Sequence, residues 1–182
     1  MKIRTKIILI VLPLIILSLG IAGSLSFNYA TTGITRIAIE FLNSKSLELK
    51  KYAEGQWSVL LKTTMSEEYV DITRNSIEEY AQTLIWSPTV LIVAFDNEAG
   101  IEMQTGDIEI LGQEKAYLME LIRNKSTEFT SINLGGVDRV ARGFYFDPFD
   151  WYIVISEENN TFYKDVNEIT KWTAVVLIAS VF

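Results

Sequence analysis

Residues Ile7 to Phe27, IILIVLPLIILSLGIAGSLSF, carry no charged side chain. A helix rising about 1.5 Å per residue over such a run matches a hydrocarbon layer roughly 30 Å thick. This segment constrains the chain more than any other, because so long an uncharged stretch must be hidden from water, and it is expected to form a membrane-spanning helix. Pro13 near its start is tolerated there better than in a soluble helix. Lys2, Arg4 and Lys6 precede it, and the positive-inside tendency keeps that end cytoplasmic and places the segment after the span outside. A cleaved signal peptide is the other reading, since Gly20 to Ser24 offers small residues for processing. The apolar run, however, outlasts the about 7 to 15 residues usual for such a leader.

The far end repeats the pattern in miniature. Trp172 to Phe182 is wholly uncharged and has about half of the roughly 20 residues a membrane helix needs. It is expected to begin a second membrane helix, with Trp172 at the headgroup level; a short buried terminal helix is the alternative. Between these ends the chain reads as water-soluble. All 23 acidic residues fall between Glu40 and Glu168, and 13 of the 16 basic ones fall within residues 30–171, which leaves that segment at −10. So acidic a domain argues against nucleic acid and anionic lipid as binding partners. There is no cysteine and no histidine. A disulfide framework, zinc sites built on Cys or His, Ser-His-Asp or Cys-His catalysis and a histidine pH switch are therefore excluded.

Within the soluble stretch the hydrophobic period separates helix from strand. From Gly33 to Leu61, Ile34, Ile37, Ala38, Phe41, Leu49, Tyr52 and Val59 recur at three-and-four spacing, which predicts a long amphipathic helix leaving the membrane. A second helix starts near Ser66, with Tyr69, Ile72, Ile77, Tyr80, Ala81 and Leu84 on its apolar side, and ends before Pro88. The period then changes. TVLIVAFD, residues 89–96, is the branched apolar run of a strand buried on both faces, and a turn over 96–100 leads to a second strand over 101–105. A short helix over 113–125, with Ala116, Leu118, Met119 and Ile122 on one side, precedes strands over 127–134, 137–146 and 151–158. Gly135-Gly136 and a turn around Asp147-Pro148 join these three.

Residues 159–171 place Phe162, Val166 and Ile169 at helical spacing and lead into the terminal apolar run. The expected organisation is a cytoplasmic tip and first membrane helix over 1–29, an outer domain over 30–158, a connecting helix over 159–171, and the start of a second membrane helix over 172–182. The outer domain is α+β, a long N-terminal helix packed on an antiparallel sheet of about five strands.

The hairpin VLIVAFDNEAGIEMQTG and the closing segment RGFYFDPFDWYIVISEENNTFYKDVNEIT, with an aromatic and a proline before Trp151 and an amphipathic helix after Glu158, carry a further signal. Together they resemble the Cache family of extracytoplasmic sensor domains, in its single-module form built on a PAS-like sheet. The resemblance covers about residues 30 to 171. It implies the periplasmic or extracellular sensing domain of a bacterial receptor in the cytoplasmic membrane, non-catalytic in itself. Its output, a nucleotide cyclase or histidine kinase first and a chemoreceptor next, would lie beyond the second membrane helix. The Arg-x-Trp-Tyr pattern of amino-acid-binding double Cache domains is absent.

In a PAS-like pocket the ligand sits between the sheet and its covering helices, and a small anion needs a cation of fixed direction. Arg139 and Arg142 are the candidates, and strand alternation puts them on opposite faces, so at most one enters a pocket. The plain alternative is that both pair with acids at the surface. Trp86, Tyr145, Trp151 and Tyr152 offer aromatic walls with polar handles, or ordinary core packing. Asp96 offers a partner for an amine, or an ordinary turn residue. Asp147 and Asp150 lack the regular oxygen spacing of a calcium loop. The acidic pairs Glu67/Glu68, Glu78/Glu79 and Glu157/Glu158 point apart and read as solvated faces. No cofactor or metal is expected. Expected partners are a small carboxylate or amine, the lipid bilayer and a second copy of the chain. The rivals are a hydrolase, left with Ser-Lys or carboxylate chemistry, and a ligand-free PAS-like dimerisation or protein-interaction module.

Overall fold

The computed structural model describes residues 3–62 and 66–181. The chain divides into two units, Ile39–Phe162 in one and Met1–Ala38 with Tyr163–Phe182 in the other. Helix α1, Ile3–Leu60, is continuous through Pro13, Gly33 and Gly55. In the larger unit its buried seam is Leu42, Ser46, Leu49, Ala53 and Leu60, all 3% exposed or less. The expected stripe is thus corrected in phase, since Phe41 and Val59 are exposed at 44% and 58%. Apolar residues run around much of this helix, so periodicity alone does not say which line of them meets the sheet. Helix α2, Glu67–Thr83, shows the same correction: Thr73, Ile77, Ala81 and then Leu84 are buried, while Tyr69 and Ile72 are exposed. The Thr73 hydroxyl donates to the Tyr69 carbonyl at 2.9 Å, which lets a polar residue sit in the seam.

The sheet comprises β1 (Val90–Phe95), β2 (Ile101–Gln104), β3 (Phe129–Leu134), β4 (Val137–Phe146) and β5 (Trp151–Glu158), with α3 (Gly112–Arg123) between β2 and β3. Its order is β2-β1-β5-β4-β3, antiparallel throughout. Gly135 and Gly136 form the two-residue turn between β3 and β4 with φ of +62° and +75°. Both angles are left-handed, as a tight hairpin matched to strand twist requires. Asp147–Phe149 makes a single 3-10 turn between β4 and β5.

Because β5 is central, its residues from Trp151 to Glu157 are buried on both faces. On one face Ile92, Ala94, Phe144, Ile153 and Ile155 meet the seams of α1 and α2; on the other Leu91, Val93, Phe95 and Val154 meet Leu118 and Ile122 of α3. In α3, Ala116 and Met119 lie outward, and Glu114 takes a place in the buried seam that was expected to be apolar. The chain then forms α4 (Asn159–Phe162) and α5 (Lys164–Val181). Among the described residues no helix is long and apolar enough to cross a membrane. The side chains of residues 1–9, 12, 15, 16, 19, 174 and 177–182 lie outside the described ones, and with them much of both segments expected to span the bilayer.

Candidate functional site

One corner of the sheet gathers the ends of three strands and the loop between α2 and β1. In register Val90 faces Glu157, and Arg139 faces Glu158. Arg139 is only 8% exposed. Its Nη1 donates to the Thr89 carbonyl at 2.8 Å, its Nη2 stands 3.9 Å from Glu158, and its buried Nε has no partner. Burial draws the Arg139 pKa below its ordinary value, with Glu158 and Glu157 opposing. Glu157 is also 8% exposed. Burial raises its carboxyl pKa, against hydrogen bonds from Trp86, Ser87 and Thr89 and the charge of Arg139. Within the loop Ser87 and Thr89 hydroxyls lie 2.9 Å apart, and Trp86 sits edge-on to Phe41 of α1 with centroids 5.0 Å apart. The loop thereby joins the Arg139 corner to α1.

Beside this corner, on the α3 side of the sheet, lies a cleft of about 490 Å³, within the range of roughly 300 to 1,000 Å³ usual for small-molecule sites. Leu91, Ile108 and Leu134 give it an aliphatic lining, and Arg139, Asp107 and Glu109 are its charged groups. Its outer wall is the segment between β2 and α3, which crosses close over the strands. A Cβ on Gly106 would come within 3.2 Å of Leu91 Cδ1, and one on Gly135 within 3.0 Å of Ile108 Cγ1. Glu114 holds this wall in place: its carboxylate accepts from the backbone N–H of Leu111 at 3.0 Å, of Gly135 at 3.0 Å and of Gly136 at 2.8 Å. One side chain thus joins the start of α3 to the β3–β4 turn.

The structure brings Arg139 and Trp86 to this corner and distributes the other sequence candidates elsewhere. Arg142 lies half-buried on the opposite face, in register with Phe129. Trp151 packs in the α1/α2 core, 5.0 Å from Phe149, with the Arg74 guanidinium over both rings. Tyr152 fills the middle of the α3 face, directly over Gly143; its hydroxyl donates to the Ser126 carbonyl at 2.8 Å. Burial pushes the Tyr152 phenol up to about 12. Tyr145 and Asp96 lie at the other end of the sheet. Tyr145 donates to Asn97 and Asp150, each at 3.1 Å, beneath Lys125 at 3.8 Å from its ring centroid. Asp96 closes its turn by accepting from the N–H of Glu98 at 2.8 Å and of Gly100 at 2.7 Å. Asp147 is exposed and ion-paired with Lys125 at 2.6 Å, which holds its pKa low. Among the described residues no group of three or more acidic, His or Cys side chains is placed to hold a metal.

No protein-family model matches the chain, and no curated protein matches it. Solved structures do. One described as "Periplasmic sensor domain of chemotaxis protein" matches with a TM-score of 0.53 and 12% identity, over 65% of this chain and 92% of its own. Another, described as "Structural basis for carboxylic acid recognition by a Cache chemosensory domain", matches with a TM-score of 0.54 and 12% identity, over 68% and 95%. The chain shares the fold of these Cache domains. The long first helix and the five-stranded antiparallel sheet are the architecture that the resemblance implied.

Four residues of this corner escaped the sequence. Glu157 is buried, not on a solvated face, because β5 is central and has no solvent side. Glu114 left half a signal, a glutamate three residues after the helix-flanking Leu111, the acidic half of a capping box without its Ser or Thr. Asp107 and Glu109 left none, since their place on the cleft depends on the path of the connection.

Proposed function

We propose that this Cache-fold domain is the extracytoplasmic small-molecule-sensing part of a membrane receptor. The observation that carries the proposal is the position of Arg139. It lines a cleft, is bonded to the loop entering β1, and faces the last residue of β5, from which the chain passes into α4 and α5. A ligand that engages Arg139 therefore acts on the two places where the sheet connects to helices. Its differential affinity for two arrangements of those connections would be the signal, and a tenfold preference supplies about 1.4 kcal/mol. The uncharged run over residues 7–27 supports a membrane anchor, with the basic N-terminus cytoplasmic and the Ile39–Phe162 unit in the periplasm or outside the cell. In this reading the segment catalyses nothing, and a homodimer carries its signal inward to a cyclase, kinase or chemotaxis output.

The test is a melting screen of the full chain in lipid nanodiscs, followed by tryptophan fluorescence, against small carboxylates, amino acids and amines. A native-state ligand at about 100 times its Kd adds about 2.7 kcal/mol and raises the melting temperature accordingly. A compound that does so, and does so less in Arg139→Gln, supports the reading. A cooperative melt that no compound moves would favour a ligand-free dimerisation module. One observation speaks for that module: the middle of the α3 face is filled, with Leu118, Tyr152 and Val154 all 2% exposed or less.

A further inference from the structure

Near its end β5 carries a carboxylate that the fold keeps from water. Strand alternation puts Glu157 on the face of Ile153 and Ile155, toward α1 and α2, and Glu158 on the other face beside Arg139. Val90, across from it on β1, continues that face, and the loop over residues 86–89 closes the corner, so Glu157 is only 8% exposed. Few charged groups surround it. The loop offers Trp86, Ser87 and Thr89, none of them charged, and β1 and α4, which lies against β5, have no titratable residue. On β4 Arg139 is the cation that acts on Glu157, and Glu158 acts in turn on Arg139. On α1 Glu40 and Lys45 flank Phe41, with Lys45 paired to Glu48 at 2.9 Å, and Tyr80 in the last turn of α2 donates to that same Glu48.

We infer that Glu157 makes this domain a sensor of acidity: with its proton bound, the loop over residues 86–89 closes on β5 and holds Trp86 against Phe41 of α1, and ionisation opens that loop. The inference goes beyond the ligand-sensing role proposed above and needs no ligand in the cleft. Its sign follows from linkage. Burial raises the Glu157 pKa, against the loop's hydrogen bonds and the Arg139 charge. A conformation that lets water reach the carboxylate restores an ordinary value of about 4.3. The closed form therefore binds the proton more tightly, so acid favours it and rising pH favours the open one. Little has to move. Pro88 is exposed and Trp86, Ser87 and Thr89 are half-buried, so the cover is a single loop. It is tied by the Ser87 and Thr89 hydroxyls at 2.9 Å and by the Arg139 bond to the Thr89 carbonyl at 2.8 Å. On its far side Trp86 meets Phe41 edge-on with centroids 5.0 Å apart, so the state of the loop sets what α1 touches. The same helix contains the uncharged run over residues 7–27. In a chain without histidine, a buried carboxyl is the group whose titration can be brought up toward neutral pH.

The experiment uses the full chain in nanodiscs with 5-fluorotryptophan in place of tryptophan, the Trp86 fluorine resonance being assigned with Trp86→Phe. Between about pH 4 and pH 8 that resonance is expected to follow the binding of one proton, with a midpoint above about 4.3. Glu157→Gln has the shape of the protonated acid, so it should abolish the titration and hold the resonance at its acid position. Arg139→Gln should keep the titration and move its midpoint up by about one pH unit, because the cation that favours the carboxylate is gone. Phe41→Leu should change the amplitude and leave the midpoint in place, as expected of a contact that follows the loop without titrating. A Trp86 resonance that stays constant across the range overturns the inference. So does a titration that survives in Glu157→Gln, or a midpoint that Arg139→Gln lowers. A compound that binds a chain showing no Trp86 titration leaves the ligand-sensing role standing and removes the acidity sensor alone.

Discussion

Glu114→Ala is the substitution that most directly tests how the cleft wall is held. The wild-type carboxylate is 5% exposed and accepts three backbone hydrogen bonds, from Leu111, Gly135 and Gly136. Hydrogen bonds to a charged group contribute from about 1.5 kcal/mol each, which places the gross loss at roughly 4 to 5 kcal/mol. Leu111, Gly135 and Gly136 are exposed residues, so water takes up part of what the carboxylate releases, and the net cost is expected at about 2 to 3 kcal/mol. At about 4 °C per kcal/mol that lowers the melting temperature by roughly 8 to 12 °C. Glu114→Gln keeps one acceptor oxygen and should cost about half as much. Urea denaturation gives the free energies, and amide hydrogen exchange shows where the loss occurs: Gly135, Gly136 and the first turn of α3 should lose protection while β1 and β5 keep theirs. If both variants melt within about 2 °C of wild type, or if exchange rises uniformly, the Glu114 clasp does not hold the wall of the cleft.

Gly143→Ala should destabilise by about 2 to 4 kcal/mol, because its new Cβ would overlap the Tyr152 ring and drive the phenol from its bond to Ser126; adding Tyr152→Ala should relieve the overlap and recover part of that loss. Since burial raises the folded pKa of Glu157, the native state binds its proton more tightly than the unfolded chain does. The contribution is therefore full below the unfolded carboxylate pKa and is lost as pH rises through the folded value. The melting temperature of Glu157→Gln relative to wild type should accordingly improve from pH 4 to pH 7, and a difference independent of pH would contradict the burial argument. Tyr152 obeys the same sign at alkaline pH. With its phenol at about 12, the stability it lends is present below about pH 10 and disappears as pH rises toward 12, so Tyr152→Phe should melt with less pH dependence across that interval.

What the sequence determined alone was the local order. Hydrophobic period, branched runs and turn chemistry are properties of neighbouring residues, and they placed β4 and β5 at their observed bounds, the Gly135-Gly136 turn between β3 and β4, and a long first helix. Alternation likewise separated Arg139 from Arg142, as the two faces of β4 require. The tertiary structure decided which side of each helix is buried, because α1 and α2 carry apolar residues on more than one line and only contact with the sheet chooses among them. It also decided that β5 pairs with both β1 and β4, which turned Glu157 from a strand-end acid into a buried one and left Arg139 without solvent around its Nε. The cleft itself was illegible in the chain. Arg139 is far in sequence from Asp107 and Glu114, and they come together because the connection between β2 and α3 lies across the sheet corner, where backbone N–H groups of a distant turn meet one glutamate. Charge and burial at such a place depend on what the fold brings from elsewhere, and no window of neighbouring residues contains that information.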